Sequence, residues 1–408
     1  MKIYNTAKMK KFLLFVLFAG FFCTVNAQTD NSVKPVTDEE FNSLAATPPM
    51  GWNSWNKFGC NVSEDMIMGM ADAMVSTGMK DLGYQYIVID DCWQIARDKD
   101  GNIIADPKRF PHGIKHVADY IHSKGLKFGI YSCAGSLTCA GRPGGRGYQF
   151  QDARQYAAWG VDYLKYDWCN NEYQNSKAAY KTMSDALKAS GRPIVFSLCE
   201  WGSTQPWLWA KGIGQLWRAT GDIMDHFECK ADWGGNGVLN IIDLMAPLDQ
   251  YAGPGHWNDA DMLEVGNGGM TNTEYITHMS MWCMFATPLM SGNDLRVMDA
   301  ETKAILTNKE VIDINQDPKG IQAHLYLTLG DQQVWAKKLA NGDVAVCFLN
   351  RSESPVNFNF AWNHLSALDH SVTYKIRDLW KHKEIGTTAQ PIKNLIPGHG
   401  VLMVRLIK

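Results

Sequence analysis

The 408-residue sequence has almost no excess of either charge: 39 Lys and Arg face 42 Asp and Glu, and the formal net charge is −3. No Lys- or Arg-rich stretch occurs after residue 11. Proteins that bind nucleic acid through its phosphates usually present a concentrated basic patch. The composition therefore gives no indication of a nucleic-acid partner.

The N-terminal region also lacks an apolar run long enough to span a bilayer. Residues 12–22 are apolar and follow three lysines, but a membrane helix needs roughly 20 such residues. The small residues around Ala27 predict a secretory signal peptide over residues 1–27, with an uncleaved anchor as the alternative. Residues 28–47 are then a flexible lead-in, and the protein is expected to be exported to the periplasm or the extracellular space.

Cysteine and histidine spacings typical of zinc sites are absent, so we expect no metal and no cofactor. In an exported protein some cysteines should form disulfides, and an odd number leaves at least one free. The spacings alone leave the pairing open. The nine cysteines after the predicted signal stand at positions 60, 92, 133, 139, 169, 199, 229, 283 and 347.

Short apolar segments alternate with amphipathic helical stretches from residue 48 to about residue 320. No glycine-rich nucleotide loop follows the first segment, which argues against an open doubly wound sheet. Eight strands separated by helices predict an α/β fold, a (β/α)8 TIM barrel over residues 48–320. The predicted strands are 50–55, 84–93, 127–132, 161–169, 193–199, 215–220, 256–263 and 288–292. The predicted helices are 63–82, 113–124, 149–159, 177–189, 238–250, 272–285 and 300–313.

The pattern changes at about residue 321, beyond which apolar and polar residues alternate between turn signals such as Gly330-Asp331. Such alternation predicts a C-terminal antiparallel β-sandwich domain over residues 321–408. No repeat or low-complexity linker precedes it, so the two domains are expected to pack together. The predicted strands are 324–329, 333–339, 343–350, 356–360, 371–378 and 402–407.

Charged residues follow apolar strand starts at two points in the barrel. Lys165 and Asp167 project to the same side of their strand, because side chains alternate along a strand. A structural ion pair is the alternative explanation for these two residues. The segment 217–223 repeats the pattern with Arg218 and Asp222. Cleavage of a glycosidic bond requires at least two carboxylates, and these two strand ends supply them.

Nearly every predicted strand end carries a polar or aromatic residue, and barrel enzymes hold their active sites at these ends. A single residue such as Asp90 or Asp259 could instead cap a helix, and adjacent aspartates could hold a divalent metal. Carboxylates also accept hydrogen bonds from sugar hydroxyls, and the accompanying aromatic residues favour a sugar. The strand-end residues are Trp55, Asp90, Asp91, Trp93, Tyr131, Lys165, Asp167, Glu200, Trp201, Arg218, Asp222, Asp259 and Asp261.

Seven segments, taken together and in order, resemble the α-galactosidases of glycoside hydrolase family 27. The likeness covers roughly residues 48–408, including the C-terminal β domain. It implies an exo-acting, retaining α-galactosidase that needs no cofactor and acts on a galactoside in a small molecule or polysaccharide. The segments are 51–55, 90–93, 129–132, 163–167, 199–202, 218–223 and 257–263.

The resemblance also implies residue roles. Asp167 would be the nucleophile and Asp222 the general acid/base, with Lys165 helping to keep Asp167 ionised. The pKa of Asp222 would have to lie above that of the nucleophile. The galactose pocket would be lined by Trp55, Asp90, Asp91, Tyr131, Lys165, Cys199, Glu200, Trp201, Arg218 and Asp261. The implied disulfides are Cys60–Cys92 and Cys139–Cys169, with Cys133 an unusual third cysteine beside the second pair.

Two related enzymatic activities remain as alternatives. Some members of the family cleave α-N-acetylgalactosaminides and some cleave β-L-arabinopyranosides. Bulky Glu200 and Trp201 favour a free 2-hydroxyl over an acetamido group, and aspartate at both 90 and 91 favours galactose over arabinose. A non-catalytic sugar-binding protein on the same fold is a remote alternative. Such a protein would lack one of the two catalytic acids, whereas this sequence has both Asp167 and Asp222.

Overall fold

The computed structural model describes residues 33–408, so the predicted signal peptide lies outside the described residues. Strands and helices alternate up to Asn315. The strands of this part are β1 (Met50–Asn53), β2 (Tyr86–Val88), β3 (Gln94–Arg97), β4 (Ile103–Ala105), β5 (Lys127–Cys133), β6 (Tyr163–Asp167), β7 (Val195–Cys199), β8 (Leu216–Arg218), β9 (Trp257–Asp259) and β10 (Leu289–Ser291). The helices are α1 (Asp38–Asn42), α2 (Trp55–Phe58), α3 (Glu64–Ser76), α4 (Ile114–Ser123), α5 (Gln149–Trp159), α6 (Ser176–Ala189), α7 (Val238–Met245), α8 (Asn272–Phe285), α9 (Ala300–Leu306) and α10 (Lys309–Asn315).

Eight of these strands form one parallel sheet in the order β10-β1-β2-β5-β6-β7-β8-β9. A parallel bridge between Leu263, just after β9, and Ser291 of β10 joins the two ends of that order. The predicted TIM barrel is thereby confirmed. The hairpin of β3 and β4 lies outside the barrel sheet and follows β2.

The predicted flexible lead-in is wrong for residues after Thr37. Thr37 and Glu40 form a reciprocal capping box that starts α1. The ring of Phe41 is buried, and its carbonyl accepts a hydrogen bond from the side chain of Gln215, the residue before β8. This segment therefore packs against the amino-terminal end of the barrel strands, opposite the end where active residues are expected.

The C-terminal part is an antiparallel β domain with two sheets. One sheet has six strands in the order β11-β12-β13-β18-β15-β16, and the other pairs β14 with β17. Apolar side chains from both sheets, among them Phe348 and Phe360, form a separate core between them. The sandwich prediction is confirmed. The strands are β11 (His324–Leu329), β12 (Gln332–Lys338), β13 (Val344–Asn350), β14 (Val356–Phe360), β15 (Lys375–Asp378), β16 (Lys383–Thr387), β17 (Ile392–Ile396) and β18 (Val401–Ile407).

The two domains share a core along helix α8. Trp335 of β12 meets Phe285 of α8 edge to face, with ring centroids 5.4 Å apart. The buried amino group of Lys337 donates a hydrogen bond to the carbonyl of Cys283, also on α8, at 2.9 Å. Residues 33–408 contain no helix that is both long enough and apolar enough to cross a membrane.

Candidate active site

A cavity of about 680 Å³ opens at the carboxyl ends of the barrel strands. Ten of the predicted catalytic and sugar-binding residues line it together, although they come from seven different strands or the segments after them. Its walls are formed by both aromatic and charged side chains. The predicted residues that line it are Trp55, Asp90, Asp91, Tyr131, Lys165, Asp167, Trp201, Arg218, Asp222 and Asp261.

Asp167 ends strand β6 and is only 5% exposed. One of its carboxylate oxygens accepts a hydrogen bond from the backbone amide of Trp168 at 2.8 Å. Burial raises the pKa of Asp167 to about 7, although the positive charge of Lys165 opposes this rise. The expected influence of Lys165 on Asp167 is therefore present, but burial has the larger effect.

Lys165 lies two residues earlier on β6 and directs its amino group to Asp90 rather than to Asp167. Its Nζ is 2.8 Å from Asp90 Oδ2, and that same oxygen accepts a hydrogen bond from the side-chain amide of Asn53. Burial would lower the pKa of Lys165, but Asp90 and other nearby anionic groups raise it well above its ordinary value. The ammonium group is thus held in its charged form beside both Asp90 and Asp167.

Asp91 is fixed by backbone amides. Its two carboxylate oxygens accept hydrogen bonds from the amides of Cys92 and Ala140, at 2.7 and 2.9 Å. Burial raises its pKa, which these hydrogen bonds only partly offset. Its remaining lone pairs can accept hydrogen bonds from a ligand hydroxyl, because an ionised carboxylate has about four acceptor positions.

Arg218 at the end of β8 holds two further carboxylates. Its Nη2 lies 2.8 Å from Asp222 Oδ1 and 2.9 Å from Asp261 Oδ2. Asp261 is buried and also accepts a hydrogen bond from the amide of Ile223. The side chain of Asp222, in contrast, is 44% exposed. The two predicted catalytic carboxylates thus occupy opposite environments, one buried in the cavity and one open to solvent.

Both disulfides that the resemblance implied are present, Cys60–Cys92 and Cys139–Cys169. The sulfurs of the second lie within 4.8 Å of a carboxylate oxygen of Asp167. It joins the residue two positions after Asp167 to the loop after β5, and so fixes the backbone that carries this carboxylate. Cys133 is free and buried, and its thiol donates to the carbonyl of Cys169.

Two predicted pocket residues, Cys199 and Glu200, do not line the cavity. Cys199 is buried with its sulfur 3.6 Å from Arg218 Nη1. Glu200 Oε2 instead accepts hydrogen bonds from the backbone amide and hydroxyl of Thr204, at 2.7 and 2.8 Å. Glu200 therefore holds the loop after β7, and burial raises its pKa. Both residues were predicted to line the pocket, but in the structure they support its wall from behind.

Trp201 follows Glu200 and does reach the cavity, because the chain turns sharply at this point. Trp201 has a positive φ of 58° and Gly202 a φ of 76°. A Cβ at Gly202 would lie 2.4 Å from the carbonyl oxygen of Ala219. The turn needs glycine there, and it directs the indole of Trp201 into the site.

Sequence reasoning missed the outer part of the cavity. It is built by the segments after β1, β8 and β9, beyond the observed ends of these strands. Trp233 is the most exposed aromatic there, with 66% of its surface accessible. The missed lining residues include Asn56, Lys57, Met224, Asp225, His226, Trp233, Met262, Glu264 and Asn267.

The charge balance of the inner cavity disfavours a divalent metal at the strand-end aspartates. Lys165 is paired with Asp90, and Arg218 with Asp222 and Asp261, so these three carboxylates already face a cation. Three acceptor carboxylates, two fixed cations and flanking aromatic faces suit a neutral polyol, whose hydroxyls both donate and accept hydrogen bonds. A buried and an exposed carboxylate can then divide the nucleophilic and proton-transfer roles.

Comparisons with known proteins agree with this geometry. The family model described as alpha galactosidase A matches residues 47–317, and one described as alpha galactosidase C-terminal beta sandwich domain matches residues 329–406. The alpha-galactosidase A of Cellvibrio japonicus is 52% identical over 380 residues, covering 90% of this chain and 94% of that protein.

Solved structures show the same likeness. The crystal structure of α-galactosidase I from Mortierella vinacea has a TM-score of 0.88 and 43% identity, covering 90% of this chain and 98% of that one. An α-galactosidase from Saccharomyces cerevisiae, solved with raffinose, has a TM-score of 0.85 and 34% identity with the same coverages.

Proposed function

The chain belongs to the α-galactosidases of glycoside hydrolase family 27 and is an α-galactosidase, and from this premise we propose that it works by retaining double displacement at Asp167 and Asp222. Its substrates would be terminal, non-reducing α-D-galactosyl residues of oligosaccharides, polysaccharides or glycoconjugates. The observation that carries the mechanism is the pair of carboxylates in one cavity, one buried at the end of β6 and one exposed after the end of β8.

In the first step a carboxylate oxygen of Asp167 attacks the anomeric carbon and forms a covalent glycosyl–enzyme bond. The bond from that carbon to the leaving oxygen breaks, and Asp222 donates a proton to this oxygen. In the second step Asp222 takes a proton from water, and the water oxygen attacks the anomeric carbon and releases Asp167. Two inversions give net retention of the α configuration.

The remaining cavity residues are proposed to bind the galactose ring. Asp90 and Asp91 would accept hydrogen bonds from the 4- and 6-hydroxyls, while Lys165 donates to the same region. Asp261 and Arg218 would orient the other edge of the ring. Trp55, Tyr131 and Trp201 would provide apolar faces against the C–H groups of the sugar.

Selectivity at C2 is proposed to rest on Trp201, since Glu200 lies behind the cavity wall. An acetamido group is bulkier than a hydroxyl, and overfilling a packed site costs about 1–3 kcal/mol. We therefore expect kcat/KM for an aryl α-galactoside to exceed that for the N-acetylgalactosaminide at least tenfold.

A panel of aryl α-galactoside, α-N-acetylgalactosaminide and β-L-arabinopyranoside tests this specificity. The galactoside is expected to give the highest kcat/KM. Comparable values for the galactoside and the N-acetylgalactosaminide would refute the role given to Trp201. A preference for the arabinoside would refute the role given to Asp90 and Asp91 at the hydroxymethyl side.

We also propose that the enzyme is exported by cleavage of residues 1–27 and acts in the periplasm or outside the cell. Two disulfides in the barrel support this location, because such bonds persist in oxidising compartments. N-terminal sequencing of the secreted protein is expected to begin at Gln28.

A further inference from the structure

A carboxylate and two imidazoles meet at a point outside the active-site cavity. Glu64 is the first residue of α3, His112 precedes α4, and His116 lies in the first turn of α4. One possible ligand atom from each residue lies within 4.8 Å of the other two. Because α3 follows β1 and α4 follows β2, the cluster lies on the outer rim of the barrel, at the end that carries the active site.

The three side chains differ in exposure. The side chain of Glu64 is only 5% exposed, whereas His112 and His116 are 67% and 47% exposed. Glu64 Oε1 is 2.6 Å from His112 Nδ1 and 3.8 Å from His116 Nε2, and the two imidazole centroids are 5.0 Å apart. The carboxylate is thus fixed by its surroundings, while both imidazoles can be reached from solvent.

We propose that Glu64, His112 and His116 bind one divalent transition-metal ion, with Zn²⁺ the ion best suited to them. Imidazole nitrogen and carboxylate oxygen bind zinc at about 2.0–2.2 Å in tetrahedral geometry, which separates neighbouring ligand atoms by roughly 3.3 Å. The observed 2.6 and 3.8 Å separations bracket that value, so small side-chain rotations suffice. Water would complete the coordination.

A simple ion pair is the competing explanation, and the rest of the molecule shows how such pairs look. His324 with Asp249 and His399 with Glu274 each place one imidazole against one carboxylate. At Glu64, however, two imidazoles converge on the same oxygen. A second imidazole adds little to a hydrogen bond that is already made, but it adds a ligand to a metal site.

The proposed ion would join two loops that also share a disulfide. Cys60 and Cys92 connect the loop after β1 to the loop after β2, and Arg109 donates a hydrogen bond to the carbonyl of Cys60. The amide of Glu64 in turn donates to the carbonyl of Arg109. The role of the ion is therefore structural, since it would hold together the segments after β1 and β2, which carry Trp55, Asp90 and Asp91.

Metal binding by the purified full-length mature protein tests the proposal. Zn²⁺ titration by calorimetry is expected to show one site per chain, with affinity at least tenfold weaker in His116→Ala. His324→Ala is the matched control, because it removes an exposed imidazole from a pair with a single histidine, and its zinc affinity should equal that of the wild type. Melting temperatures without metal establish that each variant is folded.

Cobalt provides the second measurement, because Co²⁺ reports its ligands in the visible spectrum. The wild type is expected to show tetrahedral absorption without a thiolate charge-transfer band, and His116→Ala should lose it while retaining wild-type kcat. Equal zinc affinity in wild type and His116→Ala would overturn the proposal. A thiolate band would also overturn it, since it would assign the metal to a free cysteine such as Cys229.

Discussion

At the scale of single residues, the two carboxylates proposed to be catalytic differ in what surrounds them. Asp167 is buried beside Lys165, whereas Asp222 is paired with Arg218 and is 44% exposed. A buried nucleophile makes its attack in a site with little water, and an exposed acid/base can exchange its proton with solvent. Loss of each residue should therefore give a different kinetic result.

Asp222→Asn should lose activity according to the leaving group. A substrate with a poor, alkyl-type leaving group needs the proton and should slow by about 10²–10⁴-fold. A substrate with an acidic phenol needs it much less, so it should still form the glycosyl–enzyme comparatively well. Asp167→Asn removes the covalent step and should lose activity by several orders of magnitude on both substrates. Steady-state and burst kinetics on an aryl galactoside and on an oligosaccharide measure this, and equal losses in Asp222→Asn would argue against its role.

Asp167 should also reduce the stability of the folded protein. Its folded pKa of about 7 lies above the ordinary value of 3.8, so the folded state holds the proton more tightly than the unfolded state. The contribution of Asp167 to the free energy of unfolding of the wild type therefore falls as pH rises from about 4 to about 7. Asp167→Asn should raise the melting temperature at pH 8 more than at pH 4. Asp65→Asn, at an exposed position, is the control and should show no such pH-dependent gain.

At the scale of secondary-structure elements, the barrel strands were predictable because each is a short apolar run, and the shared core requires that pattern. β16 was missed because none of its five side chains is buried, which leaves no alternation to detect. The lead-in was predicted as flexible because its sequence is largely polar, whereas the structure buries Val36 and Phe41 from this segment in the core.

The candidate site was predictable where residues follow directly from a strand. Asp167 ends β6 and Arg218 ends β8, so their placement follows from strand direction alone. Glu200 and Trp201 are consecutive, and only the turn at Gly202 decides which of them faces the cavity. Trp233 lies eleven residues beyond Asp222 in a loop, and its contribution depends on tertiary contacts that no local pattern reports.

At the scale of the whole molecule, the β domain is joined to the barrel through a contact that contains a buried lysine. Lys337 is 3% exposed and donates to the carbonyl of Cys283 on α8. That carbonyl also accepts a hydrogen bond from the amide of Ala286, so it would keep a partner if the lysine were replaced. Burial lowers the pKa of Lys337 to about 7, against opposing effects of Cys283 and Asp317.

Lys337→Met should therefore stabilise the protein in a pH-dependent way. The unfolded state binds more protons at this position between pH 7 and about 10.5, so wild-type stability rises across that window. The gain from methionine should be largest at or below pH 7, about 1–4 kcal/mol, and should shrink towards pH 10. Lys338→Met, on the exposed face of the same strand, is the matched control for thermal melts at pH 6, 8 and 9.5. Destabilisation by Lys337→Met at pH 6 would contradict the assigned cost of this buried charge.

The central claim for the molecule is that Asp167 and Asp222 perform a double displacement, and the anomeric form of the first sugar released tests it most directly. Retaining enzymes place their two carboxyl groups about 5–5.5 Å apart, and inverting enzymes place them about 6.5–9.5 Å apart. Proton NMR in the first minutes of hydrolysis, before mutarotation mixes the anomers, should show α-galactose. Initial release of β-galactose would contradict the assignment of Asp167 as a covalent nucleophile.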